Sequence, residues 1–199
     1  CESGRKCRRS RLTLPVLDAR LRPAKQRMLA PLAEALAAVP PMVLTGVGLG
    51  LGVASALAAA DQRWLVALVL FAANRVVDGL DGDIARARSL DSDRGGYADI
   101  VADTIVYAAV PLGAAAGSDI DHIWPITAAL IASFSINTST WMYLAALIEK
   151  RGGRHGESTS VVMPPGLVEG AETIAFYTVM LAVPSVLDWT MGVMAAAVA

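Results

Sequence analysis

Long apolar runs separated by short polar turns dominate the chain from residue 41 onward. A helix that crosses a bilayer needs roughly 20 apolar residues. PMVLTGVGLGLGVASALAAA, 41–60, meets that requirement and ends at the polar turn Asp61-Gln62-Arg63. WLVALVLFAANRVVDGL, 64–80, predicts a second span, and YADIVADTIVYAAVPLGAAAG, 97–117, a third, closed by a turn with Asp119 and Asp121. A fourth covers 123–148 and a fifth 166–186, with a long polar loop between them. A sixth starts at Trp189 and is too short to cross by Ala199, as if the chain were cut before its last helix ends. The pattern predicts an all-α integral membrane protein, a six-transmembrane-helix bundle whose last helix is truncated.

Residues 12–38 read differently. Leu and Ala alternate with Arg, Lys and Glu at roughly helical spacing, punctuated by Pro15, Pro23 and Pro31. This predicts an amphipathic helix lying along the membrane interface with its cations near anionic headgroups. A solvated basic tail is the alternative. Residues 1–11 form a basic cytosolic tail and 41–199 the single transmembrane domain, with no soluble second domain and no internal repeat.

The cations set the orientation. The amino-terminal tail, the segment 75–94 and the loop with Lys150, Arg151 and Arg154 hold 16 of the 17 Lys and Arg residues. The spans place all three on one side, while the opposite turns carry only Arg63 with Asp61, Asp119, Asp121 and Asp188. The positive-inside rule therefore puts the tail and an aspartate-rich segment at the cytosolic face of a cell membrane crossed several times. Trp64, Trp124 and Trp189 fall near the outer boundary, as an aromatic belt requires.

Composition narrows the class further. Hydrophobic residues make up 55% of the 199 and charged ones 18%, beyond the apolar share of an ordinary soluble domain. Cys1 and Cys7, both in the basic tail, argue against a disulfide framework and for a reduced cytosolic setting. The chain opens on Cys, which suggests a start inside a longer reading frame, and shows no cleavable signal peptide.

The stretch DGLDGDIARARSLDSDRGGYADIVADT, 78–104, holds seven aspartates between two apolar runs. On insertion scales a carboxylate inside a membrane costs about 2.5–3.5 kcal/mol. Asp78 and Asp81 share one face at the end of the second helix, and Asp99 and Asp103 share one near the start of the third. Gly82, Gly95 and Gly96 allow the two helix ends to fold together, so that four carboxylates converge. They would repel one another unless cations intervene. Oxygen ligands without Cys or His favour Mg²⁺ or Mn²⁺, and two such ions would balance four charges, a recurrent device for phosphoryl chemistry. Asp83, Asp91 and Asp93 read as solvated loop charges. Two other readings stay open at this point: helix-end ion pairs with Arg75, Arg86, Arg88 and Arg94, and a cation carrier or channel built on the same acids.

Read as Asp78-x2-Asp81-Gly82-x2-Ala85-Arg86-x8-Gly95-x3-Asp99-x3-Asp103, the stretch resembles the motif of the CDP-alcohol phosphatidyltransferase family at eight positions. That resemblance implies a transfer of phosphatidyl from a CDP-activated lipid such as CDP-diacylglycerol to a small alcohol, with release of CMP, in phospholipid synthesis. It implies that Asp78, Asp81, Asp99 and Asp103 bind two divalent cations, and that Asp103 is also the general base. Gly82 and Arg86 would hold the CDP group with the motif residues Ala85 and Gly95, joined by Ser92, six residues after the arginine. Many members carry Pro-Asn-x-x-Thr at the start of the first helix. Here Pro41-Met42-Val43-Leu44-Thr45 keeps Thr45 as a nucleotide contact and lacks the Asn. The resemblance also implies a homodimer, and no nucleic-acid partner is expected.

The acceptor alcohol is less legible. Arg151 and Arg154, with Lys150 and His155, would suit a phosphorylated acceptor such as glycerol phosphate or inositol phosphate, although anchoring to anionic lipid explains them equally well. Glu169, Glu172 and Thr173 recur at helical spacing at the start of the fifth span. They would suit a polyol or an amino alcohol such as serine, ethanolamine or choline, or would pair with Arg75 or Arg88. Asn137, Thr138, Ser139 and Thr140 would line the same cavity or, as the favoured reading, bridge helices.

Overall fold

The structure is a computed structural model that describes residues 30–32, 34–36, 38–88, 90, 92–150 and 170–198. The basic tail 1–11, most of the 12–38 segment, Asp91, His155 and the acceptor candidates Arg151, Arg154 and Glu169 lie outside the described residues.

Six α-helices of 12 residues or more are present among the described residues: α1 Pro41–Ala60, α2 Trp64–Ala87, α3 Asp93–Ala116, α4 Ile123–Lys150, α5 Gly170–Ala182 and α6 Leu187–Val198. No strand occurs among these residues. Pro41 occupies the first turn of α1, where its missing N–H costs nothing. Ser92 caps α3, its Oγ accepting from the Gly95 amide at 3.2 Å. The part of the 12–38 segment that is described turns as a helix before α1, with Leu36 N–H donating to Leu32 C=O at 3.0 Å. Leu36 and Val39 pack against buried Leu44, Leu80 and Ile84, pinning this approach to the ends of α1 and α2.

By length and composition α1 and α3 each suffice to cross a membrane, and α5 with α6 would make a third span if counted together. They are not one straight rod. The break at Val183–Pro184 bends the pair by 113°, and a 3₁₀ turn, Pro184–Val186, occupies the corner. The expected fifth span therefore stops at Ala182 instead of running to 186. α2 and α4 have 24 and 28 residues, long enough for a crossing, but both carry polar side chains toward one end.

α1 packs against both α2 and α3, α4 packs on α6, and α5 lies against α2. The α1–α3 approach is close enough to demand glycine. A side chain at Gly52 would run into Val106, and one at Gly113 would meet the backbone carbonyl of Ala56. Such small-residue contacts let membrane helices gain dispersion energy at short range. The central core joins Phe71, Val106, Leu130, Tyr177, Met180 and Met191.

Pro111 sits inside α3 and has no N–H to offer the carbonyl four residues back, that of Tyr107. Tyr177 of α5 fills the gap, its hydroxyl donating to Tyr107 C=O at 2.6 Å. The Tyr177 side chain is fully buried and stacks on Phe71 with centroids 5.5 Å apart.

Candidate active site

The sequence puts two acids on the last turns of α2 and two on the first turns of α3, and the fold brings these ends together. Asp78, Asp81 and Asp103 line one cavity of about 10 Å³ with Thr45, Gly48, Asn74 and Arg75. That volume holds about one water-sized particle. Asp99 does not line it, yet lies close enough for its charge to act on Asp81 and Asp103. Four carboxylates thus share one seam between two helices.

Arg75, one turn before Asp78, stands among them. Its Nη1 lies 2.9 Å from Asp103 Oδ1 and 3.6 Å from Asp78 Oδ2. The contact with Asp103 is a close ion pair, although Oδ1 makes no hydrogen bond of good geometry. Nη1 also donates to Tyr107 Oη at 3.0 Å and Nε to Asn74 Oδ1 at 2.7 Å. Asn74 in turn donates from Nδ2 to Gly48 C=O of α1 at 2.8 Å. The guanidinium also lies over the rings of Phe71 and Tyr107, 5.7 and 5.1 Å from their centroids. The ion-pair alternative is therefore met in part: Arg75 bridges Asp78 and Asp103.

Thr45 reaches across from α1, its hydroxyl within 2.7 Å of Asp81 Oδ2 and 3.1 Å of Pro41 C=O. It steadies Asp81, a contact that the expected nucleotide role did not include. Arg86 pairs with Asp83 one turn before it, Nη2 to Oδ1 at 2.6 Å. Asp83 is thus helical and paired, against the expectation of a solvated loop charge. Gly82 leaves room for the Arg86 guanidinium, since a Cβ there would sit 3.2 Å from Nη1. Ala85 is half-buried beside them and Gly95 stands next to the Ser92 cap. Ser92 is engaged by α3 itself. Glu172 and Thr173 start α5, half-buried and buried respectively. In α4, Thr140 returns its hydroxyl to its own helix at Ile136 C=O, so it bridges no helices through that bond.

The donor set suits a hard cation, with carboxylate, hydroxyl and amide oxygens and no thiolate or imidazole among the lining residues. Asp103 Oδ1 is buried, makes no hydrogen bond of good geometry and has the Arg75 guanidinium as its charged neighbour. The chemistry therefore fits a divalent ion. The spacing is not that of a closed ligand shell, for no three His, Cys, Asp or Glu side chains among the described residues draw together closely enough to hold a metal. The guanidinium of Arg75 stands between Asp78 and Asp103.

An all-helical bundle with apolar helices and an aspartate seam at one end is the fold of a membrane protein with an acidic site. The chain belongs to the CDP-alcohol phosphatidyltransferase family, whose model matches residues 38–199. It is an enzyme of that class, a membrane protein of phospholipid synthesis, in a family that works with divalent cations, Mg²⁺ or Mn²⁺. The Inner membrane protein YnjF of Escherichia coli (strain K12) is 35% identical over 148 residues, which are 70% of this chain and 68% of that protein. Among solved structures, the phosphatidylinositol phosphate synthase PgsA1 of Mycobacterium tuberculosis with CDP-DAG bound superposes with a TM-score of 0.67 at 22% identity, covering 86% of this chain and 88% of that one. The same synthase in complex with manganese and citrate gives a TM-score of 0.64 at 22% identity, over 84% and 82% of the two chains. At that identity the likeness to PgsA1 is one of fold.

Proposed function

We propose that this chain transfers a phosphatidyl group from CDP-diacylglycerol to the hydroxyl of a small alcohol and releases CMP. The observation that carries this reading is the meeting of Asp78, Asp81 and Asp103 around one cavity, with Asp99 beside them. The matching fold of a synthase that holds CDP-DAG supports the choice of donor. The reaction takes place at the cytosolic face of the cell membrane in which the apolar helices lie. The basic tail 1–11 and the amphipathic segment 12–38 anchor that face, and two copies of the chain associate.

Asp78, Asp81, Asp99 and Asp103 are the ligands of two divalent ions in this reading. Ions held there would neutralise the charge of the pyrophosphate and make the acceptor hydroxyl more acidic. Asp103 takes the hydroxyl proton as the acceptor oxygen attacks the phosphorus that bears the lipid, and the bond from that phosphorus to the CMP oxygen breaks. Arg86 turns from Asp83 to the pyrophosphate, while Gly82, Ala85, Gly95, Ser92 and Thr45 form the wall against which the CDP group rests. Glu172, with Glu169, Arg151 and Arg154, forms the acceptor side.

The test is a panel of glycerol phosphate, inositol phosphate, serine, ethanolamine and choline, each with labelled CDP-diacylglycerol and Mg²⁺ or Mn²⁺. CMP and one labelled lipid should appear with few of these alcohols and vanish with a chelator. Glu172→Gln should change which alcohol is preferred, read as the ratio of kcat/KM values; an unchanged ratio removes Glu172 from the acceptor side. Cation flux across vesicles without nucleotide, and no CMP from any alcohol, would overturn the transferase reading in favour of a carrier or channel.

A further inference from the structure

Arg75 is the one cation among the described residues that line the seam's cavity, and the motif assigns it nothing. Its side chain is only 7% exposed. A guanidinium taken so far out of water is tolerated only with partners on several sides. Those partners come from three helices. α2 supplies Asn74, Phe71 and Asp78; α3 supplies Tyr107 and Asp103; and α1 supplies the Gly48 carbonyl that fixes Asn74. Tyr107 is itself held through its carbonyl by Tyr177 of α5. A surface arginine swings on a flexible stem, whereas this one is clamped at both ring faces and at Nε.

Its place is chemically loaded. Asp78 and Asp103 are the first and last acids of the motif, and the guanidinium reaches both. Four carboxylates and one guanidinium carry a formal charge of −3 in place of −4. Any cation entering the seam meets a fixed positive charge within a few ångströms.

We infer that Arg75 is a positioning residue, a resident cation that bridges Asp103 and Asp78, fixes where their carboxylates stand and weakens the hold of the seam on divalent ions. This rests on the reading of the four aspartates as metal ligands. A charge at this range changes the affinity of a carboxylate for a proton by about tenfold or more. The same field acts on a divalent ion, so loss of the Arg75 charge tightens binding by a comparable factor. Loss of the arginine also releases Asp103 from the position that the guanidinium fixes, which lowers turnover.

The experiment measures Mn²⁺ binding by electron paramagnetic resonance on the purified full chain in detergent, with no lipid substrate. Arg75→Gln removes the charge, and Arg75→Met is a second neutral variant that keeps apolar bulk between Phe71 and Tyr107 should glutamine impair folding. Both should bind Mn²⁺ about tenfold more tightly than the wild type. Arg75→Lys, which keeps the charge and loses the planar fork, should stay within about threefold of the wild type in Mn²⁺ affinity yet show reduced kcat. A merely structural arginine would give weaker Mn²⁺ binding in all three variants, and that result overturns the proposal. Wild-type binding that both neutral variants leave unchanged also overturns it, with the metal reading intact. Absence of Mn²⁺ binding by the wild type overturns both together.

Discussion

The two ends of the helical bundle use polar side chains in opposite ways. At the end that joins α1 to α2 and α3 to α4, polar side chains close the turns. Asp61 pairs with Arg63 at 2.7 Å, with both side chains well exposed. Gln62, in the left-handed region at φ 59°, sends Nε2 to the Gly117 carbonyl at 3.0 Å and ties the first turn to the end of α3. His122 meets Asp188 at 3.3 Å and links the next turn to the start of α6. These pairs lie at the surface, where water reaches them.

At the other end, four acids share a seam whose central cation is the buried Arg75. Carboxylates facing one another without matching cations are unfavourable. A fold that keeps them does so against its own stability, as sites built for chemistry do. Exposed pairs that satisfy each other close a fold, and crowded charges that do not are its working part.

The comparison is broken most sharply by Asp103→Asn. Removal of a general base lowers rates by about 10²–10⁴-fold. CMP release should fall by that factor while CDP-lipid binding is partly retained; turnover within a few-fold of the wild type would remove Asp103 from its role. Gly113→Ala comes next, because its new methyl meets the Ala56 carbonyl, which belongs to a helix and cannot step aside. Overpacking of this kind costs about 1–3 kcal/mol. Thermal unfolding in detergent should report it, and an unshifted midpoint would show that α1 and α3 are less closely pressed.

Tyr177→Phe should cost about 1–3 kcal/mol, the penalty for a buried carbonyl left without a donor. Pro111→Ala, which returns an N–H to α3, should recover much of that loss in the double variant. Additive effects in this double-mutant cycle would dismiss the hydroxyl as the substitute donor. The smallest effect belongs to the opposite end. His122→Gln should leave CMP release unchanged, and a substantial fall would mean that this end is not merely a closure.

Much of the architecture was legible in the residues. Apolar runs marked α1 at its observed bounds, 41–60, and the 3/4 spacing of the aspartates placed them on the facing ends of α2 and α3. The second helix runs on to Ala87 and the third begins at Asp93, because charged residues in a helix end register as loop only on a hydropathy scale. The break after Ala182 was hidden for the mirror-image reason, since Val183 and Val186 keep the run apolar while Pro184 turns the backbone. Arg75 was visible as a possible ion-pair partner, but its seat between Phe71 and Tyr107 depends on helix packing that no local pattern encodes. The signal for Tyr177 was indirect. A proline inside an apolar helix announces a missing donor and leaves open who replaces it.

That replacement has a mechanical consequence. An ordinary transmembrane helix can rotate or slide against its neighbour by trading one apolar contact for another. α5 cannot do so freely, because the Tyr177 hydroxyl is keyed to a single carbonyl on α3. The key fixes both the depth and the azimuth of α5. Through Tyr107 it ties the helix that follows the polar loop to the guanidinium beside Asp103. A push on α5 at its amino-terminal end would therefore be felt, two residues in contact later, at the acid seam.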